Sequence, residues 1–180
     1  MLSITIPRVE LYDEVSEEFV TSVETTLVLE HSLISLSKWE TLWKKPFLGK
    51  VKKTPEESLD YIKQMTITKN VPPEVFTYMP PESVQLISDY IADSMTATTF
   101  INRDNGRGST EIVTNEVIYY WMFTFNIPIE CEKWHLNRLL TLIRVSSIKS
   151  QPGKKMSQAD VAAQNREINA ARQQALHTKG

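Results

Sequence analysis

The sequence is short of the features that would tie the chain covalently or place it in a membrane. It has one cysteine, Cys131, so no disulfide can form within the chain and packing alone must hold the fold. No apolar run approaches the roughly 18–20 residues that cross a bilayer, and we expect no membrane segment. The N-terminal stretch MLSITIPRVELYDE lacks a basic region followed by an apolar block. We therefore expect no signal peptide, and these features together suit a cytoplasmic protein.

An excess of charge of one sign is also missing. The chain has 20 Lys and Arg against 22 Asp and Glu, which gives a formal net charge of -2. This balance gives no global attraction to nucleic acid or to an acidic membrane surface. The hydrophobic share of 41% and the charged share of 23% are typical of a globular protein. A chain of 180 residues is long enough for one domain with a real core and a tail.

Two stretches near the N-terminus indicate β-strands. LSITI, residues 2–6, alternates apolar and polar side chains until Pro7 closes the run. EFVTSVETTLVLE is rich in β-branched residues between Phe19 and Leu29. Together these stretches predict an N-terminal sheet of two or three short strands.

The pattern then changes from alternation to helical spacing. Large apolar residues recur at Leu36, Trp39 and Trp43. Ser32 stands before them as a candidate N-cap, and Pro46 follows as a stop signal. We expect a helix between these two residues.

The sharpest helix start is in TPEESLDYIKQM. Thr54 can cap this helix, Pro55 takes its first position, and Glu57 completes the spacing of a capping box. A short helical piece is expected around Val75–Tyr78, and a longer helix starts near Pro81. The apolar residues that we expect to face inward from the two longer helices are Leu59, Ile62, Met65, Val84, Ile87 and Ile91.

The following stretch reads as a hairpin and then a buried element. TATTFINRDNGRGSTEIVT has two β-rich arms around Asn105 and Gly106, a dipeptide suited to a tight hairpin turn. NEVIYYWMFTFN is dense in apolar and aromatic residues, which favours a buried helix and leaves a strand as the alternative. Thr114 or Asn115 would cap the helix, and Pro128 would end it.

CEKWHLNRLLTLIR contains the only combination of residues that suggests a reactive or metal-binding pair. One face of an amphipathic helix is marked by Leu136, Leu139, Leu140 and Ile143. Cys131 and His135 stand four residues apart in the same predicted helix. A metal would need about two further ligands, and a catalytic thiol would need a base and an oxyanion site. His31 and His177 are remote in sequence. We interpret the pair as a small buried thiol and a histidine at a helix entrance, and predict no metal, cofactor or catalytic residue.

Aromatic and basic residues offer two weaker candidates. The stretch KKPFLGKVKK surrounds Phe47 with lysines, an arrangement that can bind nucleic acid. A solvated loop is the favoured interpretation, because the rest of the domain is acidic. Six aromatic residues could stack a ligand, but their helical spacing favours the core: Trp39, Trp43, Tyr119, Tyr120, Trp121 and Trp134.

The composition shifts after residue 150. QPGKK is a linker by its Pro-Gly pair, and ADVAAQNREINAARQQAL is rich in good helix formers. Five basic residues against two acidic ones give residues 151–180 a charge of +3, which leaves -5 for residues 1–150. The apolar stripe of this tail is too thin to bury much, so we expect a projecting helix that orders on a partner.

The tail is the predicted contact surface for another protein. Its stripe is typical of a helix laid into a groove, whereas a merely solvated tail and a nucleic-acid contact are the alternatives. Five residues are the candidate partner contacts: Val161, Arg166, Ile168, Arg172 and Leu176.

These elements predict an α+β protein with two parts. Residues 1–150 form a globular domain with a small N-terminal β region and a mainly helical core with one β-hairpin. Residues 151–180 form a basic linker and a C-terminal helical tail. We find no internal repeat.

Three stretches together resemble a known family. They are LEHSLISLSKWETLWKKPFL, YYWMFTFNIPIECEKWHLNRLLTLIRV and NREINAARQQALHTKG. The chain resembles tail assembly chaperones of long-tailed (siphovirus-type) bacteriophages, particularly those of actinobacterial and firmicute hosts. The resemblance covers nearly the whole length, and its central stretch is the most specific.

The resemblance implies a non-enzymatic helper in the host cytoplasm that is absent from the mature virion. Such a protein binds the long helical tape-measure protein and helps to load tail-tube subunits around it. Some relatives occur in short and frameshift-extended forms. Self-association is left open, and the resemblance carries over no catalytic or binding residue to this chain.

Three other functions remain as rivals. A structural tail or connector protein retained in the virion would have the same β-containing body and an arm that laces its neighbours. A small enzyme would depend on Cys131. A nucleic-acid-binding regulator would depend on the basic residues, and its binding would fall steeply with salt.

Overall fold

A computed structural model describes most of the chain. The residues described are 1–8, 10–13, 18–21, 23–100, 112–150 and 166. The chain divides into two compact units, Met1–Val145 and Ser146–Gly180. The first unit holds the strands and most of the helices, so the predicted α+β class with a mainly helical core is confirmed. Of the second unit the structure describes residues 146–150 and the helical, exposed Arg166.

The N-terminal strands form two separate antiparallel pairs. β1 (Leu2–Ile6) pairs with β4 (Thr25–Leu29), and β2 (Glu10–Asp13) pairs with β3 (Glu18–Thr21). The two predicted stretches do form a two-stranded sheet, β1–β4. The prediction is wrong in assigning Phe19 to that sheet, because Phe19 belongs to the separate β2–β3 pair, and it missed β2. Residues 23–24 carry no strand structure, so what looked like one β-branched run belongs to two different pairs.

The β1–β4 pair supplies one wall of the core by alternation. Ile4 and Ile6 of β1 and Leu27 and Leu29 of β4 are buried on one face. The chain after the second helix joins β4 on its other side, since the backbone N–H of Ile67 donates to the carbonyl of Val28 at 2.8 Å. The sheet is thereby tied to the helices that cover it.

Six α-helices and one 3₁₀ helix follow within the described part of the chain. Their bounds are α1 Leu33–Trp43, α2 Pro55–Met65, α3 Pro73–Thr77, α4 Pro81–Ala92, α5 Asn115–Thr124, a 3₁₀ helix at Ile129–Lys133, and α6 Leu136–Ser150. None of these helices is both long and apolar enough to span a bilayer.

The predicted helix starts of α1 and α2 are confirmed in detail. Ser32 caps α1 and forms a capping box with Ser35. The Thr54 side chain accepts from the backbone N–H of Glu57, and the Glu57 side chain accepts from the backbone N–H of Thr54 at 2.9 Å. Pro55 occupies the first turn of α2, as the sequence predicts.

The inward faces are mostly as predicted, with one shift on α4. Ile62 and Met65 of α2 are buried, and Leu59 packs partly against the core. Val84 of α4, however, is 40% exposed, while Ser83 and Tyr90 are buried beside Ile87. The prediction for Val84 is wrong because α4 is rotated to turn Tyr90 toward the start of α1.

The predicted hairpin of residues 96–114 falls largely outside the described part of the chain, since residues 101–111 include its turn. The flanking residues 96–100 and 112–114 carry no strand structure. The element after them is a helix, α5, so the strand alternative is excluded. It is half-buried: Ile118 and Met122 lie in the core, whereas Tyr120 and Phe123 are exposed.

Candidate functional site

Cys131 and His135 do not share a helix. Cys131 lies in the 3₁₀ helix, which ends before Trp134, and α6 begins only at Leu136. Trp134 has an extended backbone, with φ of -69° and ψ of 159°. The predicted i, i+4 helical pair is therefore wrong, because Pro128 starts a tight turn before α6 instead of a continuous helix. The predicted apolar face of α6 is confirmed by its buried residues: Leu136, Leu139 and Ile143.

The Cys131 thiol is buried in the core. Burial raises its pKa, and the nearby Glu130 carboxylate acts in the same direction. A thiol held in its neutral form is a poor nucleophile and a poor metal ligand. Cys131 therefore behaves as a small apolar side chain in this fold.

We expect Cys131 to react slowly with a disulfide reagent in the native protein and rapidly in denaturant. The physical reasons are the low accessibility of the sulfur and its small thiolate fraction at neutral pH. Release of the coloured thiol from Ellman's reagent measures the rate. A native rate close to that of the denatured chain would show that the thiol is exposed and activated.

His135 lies immediately before α6, and its ring makes one polar contact with the described part of the chain. Its Nε2 is 2.9 Å from the backbone carbonyl oxygen of Tyr90, so Nε2 carries the proton and donates. Its Nδ1 is buried without a hydrogen-bond partner among the residues described. The ring also packs edge-on against the Tyr90 ring, with centroids 4.9 Å apart.

The ring of His135 also packs against His31, a residue so distant in the sequence that the contact could not be predicted. His31 is 2% exposed, and its ring meets the His135 ring in a T-shaped contact with centroids 4.9 Å apart. Its Nδ1 is 2.6 Å from the hydroxyl of Tyr61. The four side chains form what we term the histidine–tyrosine cluster: His31, Tyr61, Tyr90 and His135. The sequence signal for it is weak, since it consists only of two histidines that each stand next to a helix start.

The histidine–tyrosine cluster is uncharged at neutral pH. Burial lowers the pKa of His31 to about 3, and the neighbouring His135 acts in the same direction. Burial also lowers the pKa of His135, against the effect of its contact with Tyr90. The pKa of each tyrosine is raised, again mainly by burial. The cluster is thus a neutral hydrogen-bonded group, and nothing in its arrangement activates a nucleophile.

Within the described ranges, no three side chains of His, Cys, Asp or Glu come together in a way that could hold a metal ion. Among the residues described, His31 and His135 are two imidazoles with no third ligand of these types nearby. A protein site for a transition metal generally needs at least three such ligands. We therefore assign no metal role to this pair.

Part of the lysine-rich loop between α1 and α2 packs into the core. Phe47 is buried, and the Lys53 ammonium lies 3.9 Å from the centre of its ring. Lys53 Nζ also donates to the Phe47 carbonyl at 2.7 Å, and Lys45 forms an ion pair with Glu57. The predicted solvated loop holds for the exposed lysines, Lys44, Lys45, Lys50 and Lys52, but is wrong for Phe47, which is buried.

The aromatic residues divide between the core and the surface. Trp39 is buried, and Trp43, Tyr119, Trp121 and Trp134 pack partly against the core, as predicted. Tyr120 is 65% exposed, which the prediction missed. Phe123, three residues further along α5, is 67% exposed. Residues three apart on a helix share a face, so α5 presents an aromatic face, defined here as Tyr120 and Phe123.

The predicted partner contacts of the tail lie almost entirely outside the described residues. Arg166 is helical and exposed, and Val161, Ile168, Arg172 and Leu176 lie outside the described residues. Their role stays a prediction.

Comparison with protein-family models, with curated proteins and with solved structures finds no match to this chain. The resemblance to tail assembly chaperones therefore rests on the three sequence stretches alone.

Proposed function

We propose that the protein is a tail assembly chaperone of a long-tailed bacteriophage, which binds the tape-measure protein and assists tail-tube assembly without catalysis. The observation that carries the proposal is the resemblance of three stretches spread over nearly the whole chain. The central stretch, residues 119–145, is the longest and most specific of the three. The host cytoplasm is the compartment in which such a protein acts, and the mature virion lacks it.

The fold of the central stretch supports a role in protein contact. It forms most of α5, the 3₁₀ helix and the start of α6. Ile118 and Met122 anchor α5 in the core and leave the aromatic face of Tyr120 and Phe123 in solvent. Large aromatic side chains on a rigid helix lose little conformational entropy on binding and are frequent anchors of protein interfaces.

The charge distribution supports a protein partner as well. The body carries -5 and the tail +3, so a partner with alternating acidic and basic helical segments can meet both parts. Such complementarity acts mainly on the rate of encounter and on selectivity.

We expect the full-length protein to co-purify with its cognate tape-measure protein when the two are expressed together. Replacing both Tyr120 and Phe123 with serine should lower the recovered tape-measure protein by about tenfold, because removing two anchor residues costs on the order of 1.4 kcal/mol or more. Leu86→Ser is the matched control, since Leu86 is 53% exposed on another helix, α4. Capture of no tape-measure protein by the unmodified chain would contradict the proposal.

The tail is tested separately by exchanging Ile168 and Leu176 for aspartate. Loss of capture with this variant alone would place the contact on the predicted tail stripe. Loss with the α5 variant alone would place it on the aromatic face.

A structural tail or connector protein remains the alternative. It would share the body and the arm, but it would stay in the particle. Mass spectrometry of purified virions separates the two functions, because a chaperone should be missing from them.

A further inference from the structure

His31 contacts three helices of the first unit, through its backbone as well as its ring. Its carbonyl oxygen accepts from the backbone N–H of Leu136 at 2.8 Å, at the start of α6. Its backbone N–H donates to the Tyr90 hydroxyl of α4 at 3.5 Å. Through Nδ1 it contacts Tyr61 of α2. One residue at the β4–α1 junction thus meets three helices that are far apart in sequence.

Two of these helices, α4 and α6, are also hydrogen-bonded to each other. Besides the contact of His135 with Tyr90, the Asn137 side-chain amide donates to the backbone carbonyls of Ile91 at 2.9 Å and Asp93 at 2.7 Å. These bonds join the end of α4 to the first turn of α6. The α4–α6 pair therefore meets the β4–α1 junction at the His31–His135 contact.

The geometry of the His31–His135 contact disfavours protonation of either imidazole. The second proton of a His135 imidazolium would sit on Nδ1, which is buried and faces no acceptor among the described residues. A buried donor without an acceptor costs roughly 1–3 kcal/mol. Protonation of His31 as well would place two cations in rings whose centroids are 4.9 Å apart.

The charged groups around the cluster do little to offset this. Asp93, the residue that follows α4, favours the charged form of His135, whereas the amino terminus next to β1 opposes it. Glu30 acts on Tyr90, and Glu40 acts on Tyr61. For His31 the effects that count, burial and His135, both oppose the charge.

We propose that the His31–His135 contact is an acid-sensitive latch: protonation of the two imidazoles releases the α4–α6 pair from the β4–α1 junction before the rest of the domain unfolds. This inference is independent of the proposed function, because it concerns only the closed and opened forms of this chain.

The pH window follows from linkage. An opened, hydrated His31 has a pKa near 6.5, and the closed form holds that pKa at about 3. The closed form is therefore fully favoured above the opened-state pKa and loses stability as pH falls below it, until the closed-state pKa is reached. From about pH 7 to about pH 5, His31 alone should raise the opening equilibrium roughly 20-fold. The lowered pKa of His135 acts in the same direction.

Amide hydrogen exchange of the full-length protein tests the latch. After correction for the intrinsic pH dependence of exchange, amides of α4 and of residues 136–145 should open roughly 20-fold more readily at about pH 5 than at about pH 7. Amides of α1 and α2 should change much less. A rise of equal size in all helices would mean global unfolding and would overturn the proposal.

A matched double variant removes the titrating groups. In His31→Asn the amide stands near the position of Nδ1, and in His135→Gln it stands near that of Nε2, so both hydrogen bonds to the cluster can form without a charge. The exchange of this variant should be nearly independent of pH after the same correction, and a rise equal to that of the unmodified protein would refute the latch. If the variant fails to fold, imidazole NMR of the unmodified protein decides, since titration of either histidine near its ordinary pKa in the closed form would refute it.

Discussion

Replacing Glu40 with alanine is expected to destabilise the folded protein by about 4 kcal/mol. The carboxylate is buried near the end of α1, where Oε1 accepts from the backbone N–H of Phe47 at 2.6 Å. Its Oε2 accepts from both the backbone N–H and the side-chain amide of Asn115, each at 2.7 Å. Alanine would leave these buried donors without an acceptor, and each such group costs roughly 1–3 kcal/mol.

Urea unfolding followed by far-UV circular dichroism measures this loss. Thr41→Ala is the control, because Thr41 is the next residue on α1 and is exposed. Its effect should stay within about 0.5 kcal/mol. If Glu40→Ala were as stable as Thr41→Ala, the carboxylate would not be holding the start of α5 against α1.

Two further variants separate the bonds of this carboxylate. Asn115→Ala removes only the side-chain donor, so it should cost about 1–2 kcal/mol, less than Glu40→Ala. Glu40→Gln keeps one acceptor oxygen but turns an amide toward a backbone N–H, and its effect should lie between the other two. The order of the three unfolding free energies is the test, since a buried apolar role for Glu40 would make glutamine nearly silent.

Helix starts could be predicted because their chemistry is local. The cap of α2 is complete within four residues, from Thr54 to Glu57, and both of its reciprocal hydrogen bonds are present. The cap of α1 at Ser32 is equally compact, although its capping box uses Ser35. A pattern that closes within one helical turn does not depend on the rest of the fold.

The candidate site was beyond the reach of the sequence because its contacts are long-range. His31 and His135 are brought together only when α4 and α6 dock beside the β4–α1 junction. The bonds from Asn115 to Glu40 span 75 residues in the same way. Spacing did mislead for Cys131 and His135, because an i, i+4 interval has meaning only inside one helix, and Trp134 breaks it.

The aromatic residues show the same difference between what local spacing predicts and what depends on long-range packing. Helical spacing predicts which aromatic residues face the core, and it succeeds for Trp39. It fails for Tyr120 because α5 is apolar on more than one side, so its pattern does not say which side packs. Which side of α5 is exposed depends on the packing of Ile118 and Met122 into the core.

Replacing Trp39 with alanine is expected to cost about 3–5 kcal/mol of folding free energy, enough to leave a marginal domain largely unfolded. Trp39 is 1% exposed, and its indole N–H donates to the Glu57 carbonyl at 2.8 Å. The ring also meets the Phe47 ring edge-on, with centroids 5.2 Å apart. Alanine would leave a large cavity between α1, α2 and the loop that joins them, and the Glu57 carbonyl would lose the indole donor.

The same helix supplies the matched control. Trp43 stands one turn further along α1, packs partly against the core, and donates its indole N–H to Asp60 at 3.0 Å. Because part of its ring is already in water, Trp43→Ala should cost no more than about half as much as Trp39→Ala in the same urea unfolding experiment. The two rings are stacked with centroids 6.2 Å apart, so the double variant should cost less than the sum of the single ones. Equal costs for the two tryptophans would mean that α1 is turned differently in solution, and the burial of Trp39 on which the packing of α1 against α2 depends would have to be abandoned.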